Sequence, residues 1–91
     1  MGTLSQEEIA ERLGPTEWER DGDEIYRELK FADFAEAMRF VNRVAEVAEE
    51  MNHHPDILVH GWNRVRLSAS THSEGGLTAN DFELARRVDA L

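Results

Sequence analysis

The sequence predicts an α+β fold of order α-β-β-α-β-β-α, a four-stranded antiparallel sheet with helices packed on one face. Three observations predict it. Apolar residues recur at three- and four-residue steps in three segments, each opened by a capping pattern. Two stretches of alternating apolar and polar residues lie between them, each folded about a glycine-containing turn. The 91 residues carry no linker, repeat or low-complexity tract, so residues 1–91 are expected to form a single domain, and a sheet covered on one face buries all the apolar stripes.

The first helix is opened by Ser5 and Glu8 at capping-box spacing, with Leu4 and Ile9 as a hydrophobic staple. It is expected to stop by Gly14-Pro15, glycine suiting a left-handed cap and proline being unable to continue the helix. Trp18, the turn-forming Asp21-Gly22-Asp23, and Ile25, Leu29 and Phe31 at even spacing predict a first hairpin, with Arg27 on its apolar side. Asp33 and Glu36 repeat the capping pattern. Phe34, Ala37, Met38, Val41, Ala45, Ala48 and Met51 then mark the apolar stripe of a long helix, with Glu36, Arg39, Arg43, Glu46 and Glu50 toward water. Pro55 disfavours helical backbone at His54, which ends that helix near Asn52 or His53. Apolar Ile57 to Val59, a turn at Gly61-Trp62-Asn63, and Val65, Leu67 and Ala69 alternating with Arg64, Arg66 and Ser68 predict a second hairpin. After Gly75-Gly76, Thr78 and Asp81 have cap spacing and Leu77 and Phe82 form a staple. The last helix is expected to carry Phe82, Ala85, Val88 and Leu91 on one face.

Composition narrows the function classes. A domain this small buries only about 60–65% of its unfolded surface, and its open sheet edges favour self-association. It has no cysteine, hence neither disulfides nor a thiolate zinc site, and a cytoplasmic location is expected. No basic region followed by an apolar run opens the chain, and no stretch reaches bilayer length, so neither secretion nor a membrane partner is expected. Nineteen acidic residues against ten basic give a net charge of −9, which repels phosphate backbones and argues against direct nucleic-acid binding.

The histidines carry the chemistry. A hairpin mirrors residues about its turn; with the mirror point near Trp62-Asn63, His72 falls opposite the region of His53. His53 and His54 leave the long helix at that same end, so the three rings are expected to converge at one edge of the sheet. Imidazole exchanges protons near neutrality, which suits such a cluster to acid–base catalysis. The C-terminal end of the long helix favours a protonated ring, whereas burial opposes it. Asn52, Ser70 and Thr71 would supply a hydrogen-bonding floor for a small heterocycle. A His-His pair before proline can also be no more than a helix terminator. His60, with no matching partner on its short strand, reads as a surface residue. A metal site on His53, His54 and His72 is the other chemistry open to them, but adjacent histidines rarely face one ion and the helical two-His spacing is missing, so no metal is expected.

In fixed register, Asn52-His53-His54-Pro55-Asp56, the aromatic Trp62, Thr71-His72, Gly76-Leu77-Thr78 and Asp81-Phe82 resemble the signature of the pterin-4a-carbinolamine dehydratases. Glu49 matches that family's acidic residue four before the first His, and the similarity extends through Phe31-Ala32-Asp33-Phe34 and Asp81-Phe82-Glu83-Leu84-Ala85. The chain departs from the pattern in Ile57 to Asn63, where aromatics often follow His-His-Pro, and at Ser73, where an acidic residue commonly follows the third His.

The resemblance implies a dehydratase that converts 4a-hydroxytetrahydrobiopterin, the product of an aromatic amino-acid hydroxylase, to quinonoid dihydropterin and water. It recycles the tetrahydropterin and needs no cofactor of its own. His53, His54 and His72 are implied as catalytic, His53 and His72 as the acid–base pair and His54 as the group that holds and polarises the pterin. Asn52, Ser70, Thr71 and Ser73 match the substrate-contacting stretch, together with the three histidines. Glu49, Pro55, Trp62 and Asp81 support the site; Glu49 reads equally as a solvated helix carboxylate and Asp81 as a helix cap. The family forms dimers and tetramers, so a homodimer or homotetramer is expected. Animal members also bind a homeodomain transcription factor, which makes a non-catalytic interaction module the rival reading. A pure scaffold has no physical need for the three histidines.

Overall fold

Side-chain caps set the start of each α-helix in the computed structural model, which describes residues 2–91. Ser5 and Glu8 close a full capping box on α1 (Gln6–Leu13). The Asp33 carboxylate accepts from the Glu36 amide at 2.8 Å to open α2 (Phe34–Met51). Thr78 and Asp81 form the box of α3 (Ala79–Asp89). Each satisfies amides that the first helical turn leaves without partners. The end of α1 differs from expectation: Gly14 stays right-handed (φ −50°, ψ −46°). Pro15 has no N–H to continue the ladder, and the Thr16 hydroxyl takes the Leu13 carbonyl at 2.8 Å.

Between the helices lie β1 (Glu19–Asp21), β2 (Glu24–Lys30), β3 (Asp56–His60) and β4 (Arg64–Ala69), antiparallel in the order β1-β2-β4-β3. The expected α+β architecture is therefore the observed one. Asp56 opposes Ser68 and His60 opposes Arg64, so the second hairpin is centred on Trp62. Gly61 and Trp62 are both left-handed there, at φ 55° and 58°.

Pleating sorts the sheet into two faces. Ile25, Val65, Leu67 and Ala69 are buried with Ile9, Ala37, Val44, Phe82, Leu84, Ala85 and Val88 of the helices in one core. The other face is polar: Arg66 lies 4.0 Å over the Tyr26 ring, and His60 reaches Glu28 across the intervening β4. Arg27 opposes core residue Leu67, yet its guanidinium reaches the rim, where it donates to Asp89 and Glu17 at 2.7 Å each. The apolar stem packs inward while the charge is paired, which resolves its place on the apolar side.

Two stripes form largely as expected, with Phe82, Ala85 and Val88 of α3 and Ala37 and Ala48 of α2 buried, and depart from expectation at a few positions. On α2, Ala37, Val44 and Ala48 are buried, whereas Ala45 and Phe34 are exposed. Positions 37, 44 and 48 share one helical line; 45 is turned a further 100° or so from 44, toward water. On α3, Leu84 is fully buried, and Leu91, beyond the last turn, is 46% exposed.

Candidate active site

The long helix ends because Asn52 adopts left-handed backbone (φ 50°, ψ 43°), a conformation asparagine tolerates better than most residues. The His53 amide then donates back to the Ala48 carbonyl at 3.0 Å, and Pro55 keeps the chain extended into β3. This reversal carries the His53 side chain to the N-terminal turn of α3.

There His53 Nε2 lies 2.7 Å from Asp81 Oδ1. Asp81 is completely buried, and its other oxygen accepts from the Thr71 hydroxyl at 2.8 Å and the Thr78 amide at 3.0 Å. Burying a carboxylate is costly without donors, and three converge on this one at the positive end of a helix. Asp81 is thus both helix cap and histidine partner.

His72 opens a short 3-10 turn, His72–Glu74, inside a loop pinched shut by a bridge between Thr71 and Gly76. Gly75 takes the left-handed φ of 75° that closes this turn. The His72 ring is exposed, with Nε2 3.3 Å from the Ser70 hydroxyl. It lines a cavity of about 340 Å³ with Ser70, Gly75 and Gly76, walled opposite by Asp21, Asp23 and Glu24 of the first hairpin.

Position by position, the structure brings together some of the sequence-derived set. His53, Thr71 and Asp81 are directly joined, and His72 is the chain neighbour of Thr71. His54 sits on the exposed surface, paired with Glu49. Neither His53 nor His54 lines the cavity beside His72. Ser73 and Asn52 are exposed, the former within the 3-10 turn.

Trp62 stands apart. It is 62% exposed at the tip of the β3–β4 hairpin, whereas His53 and His72 lie beyond the open end. The five paired positions between them correspond to roughly 15 Å at about 3.3 Å per residue, so Trp62 does not support this site within one chain. The hairpin mirror that sets position 53 opposite 71, beside His72, places the turn residue at the far end. His60 lies at the surface as read, but it does have a partner, Glu28. The sequence reading missed Thr78 as a member of the site, although its cap position beside Asp81 was the available signal, and missed the carboxylates of the first hairpin. Among the described residues no group of three or more His, Asp or Glu is arranged to hold a metal ion, and no helix is long and apolar enough to cross a membrane.

A histidine held by a buried aspartate at the open end of an antiparallel sheet marks this small α+β domain. The family model for pterin 4 alpha carbinolamine dehydratase matches residues 2–91. A protein of Acidobacterium capsulatum, provisionally named pterin-4-alpha-carbinolamine dehydratase, is 49% identical over 92 residues, covering 100% of this chain and 99% of its own. One from Sulfolobus acidocaldarius with the same provisional name is 44% identical, covering 97% of each chain. The crystal structure of a transcriptional coactivator/pterin dehydratase from Brucella melitensis superposes with a TM-score of 0.92 at 35% identity, over 98% of this chain and 97% of that one. A pterin dehydratase-like assembly factor of RuBisCO in the α-carboxysome shares the fold, with a TM-score of 0.64 at 23% identity over 80% of this chain and 83% of its own. The chain belongs to the pterin-4a-carbinolamine dehydratase family.

Proposed function

We propose that this chain dehydrates 4a-hydroxytetrahydrobiopterin, or a related pterin, to the quinonoid dihydropterin by histidine acid–base catalysis. The observation that carries this reading is the His53–Asp81 couple, tied through Thr71 to the loop that bears His72. In the reaction the C4a–O bond breaks as the neighbouring ring nitrogen supplies an electron pair and forms a C=N bond. One proton goes to the departing hydroxyl, making water, and the ring nitrogen gives up its own. His53 and His72 serve as the acid–base pair. His54 polarises the pterin, and Asn52, Ser70 and Ser73 contact it. No electrons are gained or lost overall, so the chain needs no redox partner, and the product returns to the tetrahydropterin cycle in the cytoplasm.

Self-association belongs to the same proposal. Strand β3 is a sheet edge, with Ile57 36% and Leu58 54% exposed, which supports a homodimer or homotetramer. Mixing the protein with freshly generated 4a-hydroxytetrahydropterin and following absorbance tests the activity. His53→Ala and His72→Ala are each expected to lower the rate by about 10²–10⁴-fold. A wild-type rate equal to that of buffer ends this reading.

The description of the Brucella relative couples a coactivator with a dehydratase, and this favours keeping the interaction module as the second reading. Capture of a protein partner by a variant lacking His53, His54 and His72, with no wild-type turnover, would select it.

A further inference from the structure

The buried groups behind His53 form a one-way chain of hydrogen bonds. Thr71 Oγ1 donates its only proton to Asp81 Oδ2 at 2.8 Å. The 2.8 Å bond between the Thr71 and Thr78 hydroxyls must then be donated by Thr78. Thr78 Oγ1 in turn accepts from the Asn80 amide at 3.3 Å, so each member has a fixed role. With the Thr78 amide also donating to Oδ2, the remaining acceptor Oδ1 faces His53 Nε2. Oδ1 has no other donor among the described residues, so the bond is made by the ring donating its Nε2–H to the carboxylate. His53 Nδ1 has no hydrogen-bond partner among the described residues, and no buried side-chain nitrogen or oxygen is left unpartnered, so Nδ1 opens to solvent.

We propose that Thr78 and Thr71 are positioning residues that act through Asp81 to hold neutral His53 as its Nε2–H tautomer, leaving Nδ1 as the atom that exchanges protons with the substrate. The role of His53 in turnover rests on the dehydratase reading; the tautomer and its dependence on Thr71 do not. Thr71 therefore spends its hydroxyl on Asp81, which sets it apart from the substrate-contacting role implied by the resemblance.

Nitrogen-15 NMR of histidine-labelled protein, with the His53 signals assigned by loss in His53→Gln, tests this above the ring's titration range. The expected wild-type spectrum shows Nε2 protonated and slow to exchange its proton, and Nδ1 bare. A neutral ring protonated at Nδ1 overturns the proposal, and that measurement needs no variant to fold. Thr71→Val, nearly isosteric, is expected to give a mixture of tautomers with faster Nε2–H exchange, and Thr71→Ser to restore the wild-type signals. Where turnover is present, kcat of Thr71→Val falls about fivefold or more while KM changes by less than about twofold, the pattern of a displaced proton-transfer group. Unaltered His53 signals in folded Thr71→Val would refute the positioning role. The wild-type and Thr71→Ser signals as expected, in a protein without dehydratase activity, would uphold the hydrogen-bond chain and discard only the reaction.

Discussion

Replacing Asp81 with alanine removes one side chain and strands three donors: the His53 ring, the Thr71 hydroxyl and the Thr78 amide. The position is fully buried, so water cannot simply take the place of the carboxylate. A buried donor left without its acceptor costs about 1–3 kcal/mol, so stranding three of them and losing the helix cap costs at least about 3 kcal/mol. A domain of 91 residues has a total stability of roughly 5–14 kcal/mol at typical values per residue. For a chain this size, each kcal/mol lowers Tm by about 4–8 °C, so Asp81→Ala is expected to lose at least about 12 °C. Thermal melts followed by far-UV circular dichroism at pH 7 measure this. Asp81→Asn keeps the volume and one oxygen for the Thr71 and Thr78 donors, and is expected to lose only about 1–2 kcal/mol. A fall of under about 5 °C for the alanine variant would show that the buried carboxylate is not the structural node described above.

Three further outcomes follow from the structure. Trp62→Gly is expected to raise stability by about 1 kcal/mol, because a left-handed φ of 58° strains an exposed tryptophan and suits glycine; chemical denaturation showing no gain would mean that the indole makes a compensating contact. If the proposed self-association runs through the free edge of β3, Leu58→Lys is expected to lower the mass seen by light scattering to that of a monomer, and an unchanged larger mass would place the interface elsewhere. Hydrogen bonds from Arg86, and then from Arg87, pull the Glu83 carboxyl down from 4.5 to about 2. Its stabilising contribution is therefore fully present above pH 4.5 and lost as the pH falls toward 2, and Glu83→Gln should remove that part of the acid dependence. A carboxyl titration midpoint near 4.5 by NMR would contradict this pairing.

Features fixed by near neighbours in the chain were legible from sequence. The boxes of Ser5 with Glu8 and Thr78 with Asp81 each span three residues, and both form as read. The second hairpin could be centred to within a residue because alternation and turn residues agree. Partners distant in sequence were not legible. Arg27 looked like a breach of the apolar pattern because Asp89, its partner 62 residues away, comes beside it only when α3 docks. Glu28 meets His60 across a strand, 32 residues away. Asp81 was readable as a cap, while its bond to His53, 28 residues away, depends on how α2 ends. The faces of α2 and α3 were each displaced in part because alanine and terminal positions carry little periodic signal: Ala45 reads as apolar yet faces water, and Leu91 continues the stripe past the helix end.

The double employment of Asp81 ties the orientation of His53 to the fraying of one helical turn. Helix ends open and close far more often than whole domains unfold. Each time the first turn of α3 opens, the His53 imidazole loses its anchor, even though the sheet beneath remains intact. The fraction of molecules with His53 anchored at any instant is thereby capped by the local closing equilibrium of that turn, a quantity amide exchange at Asp81 would report directly.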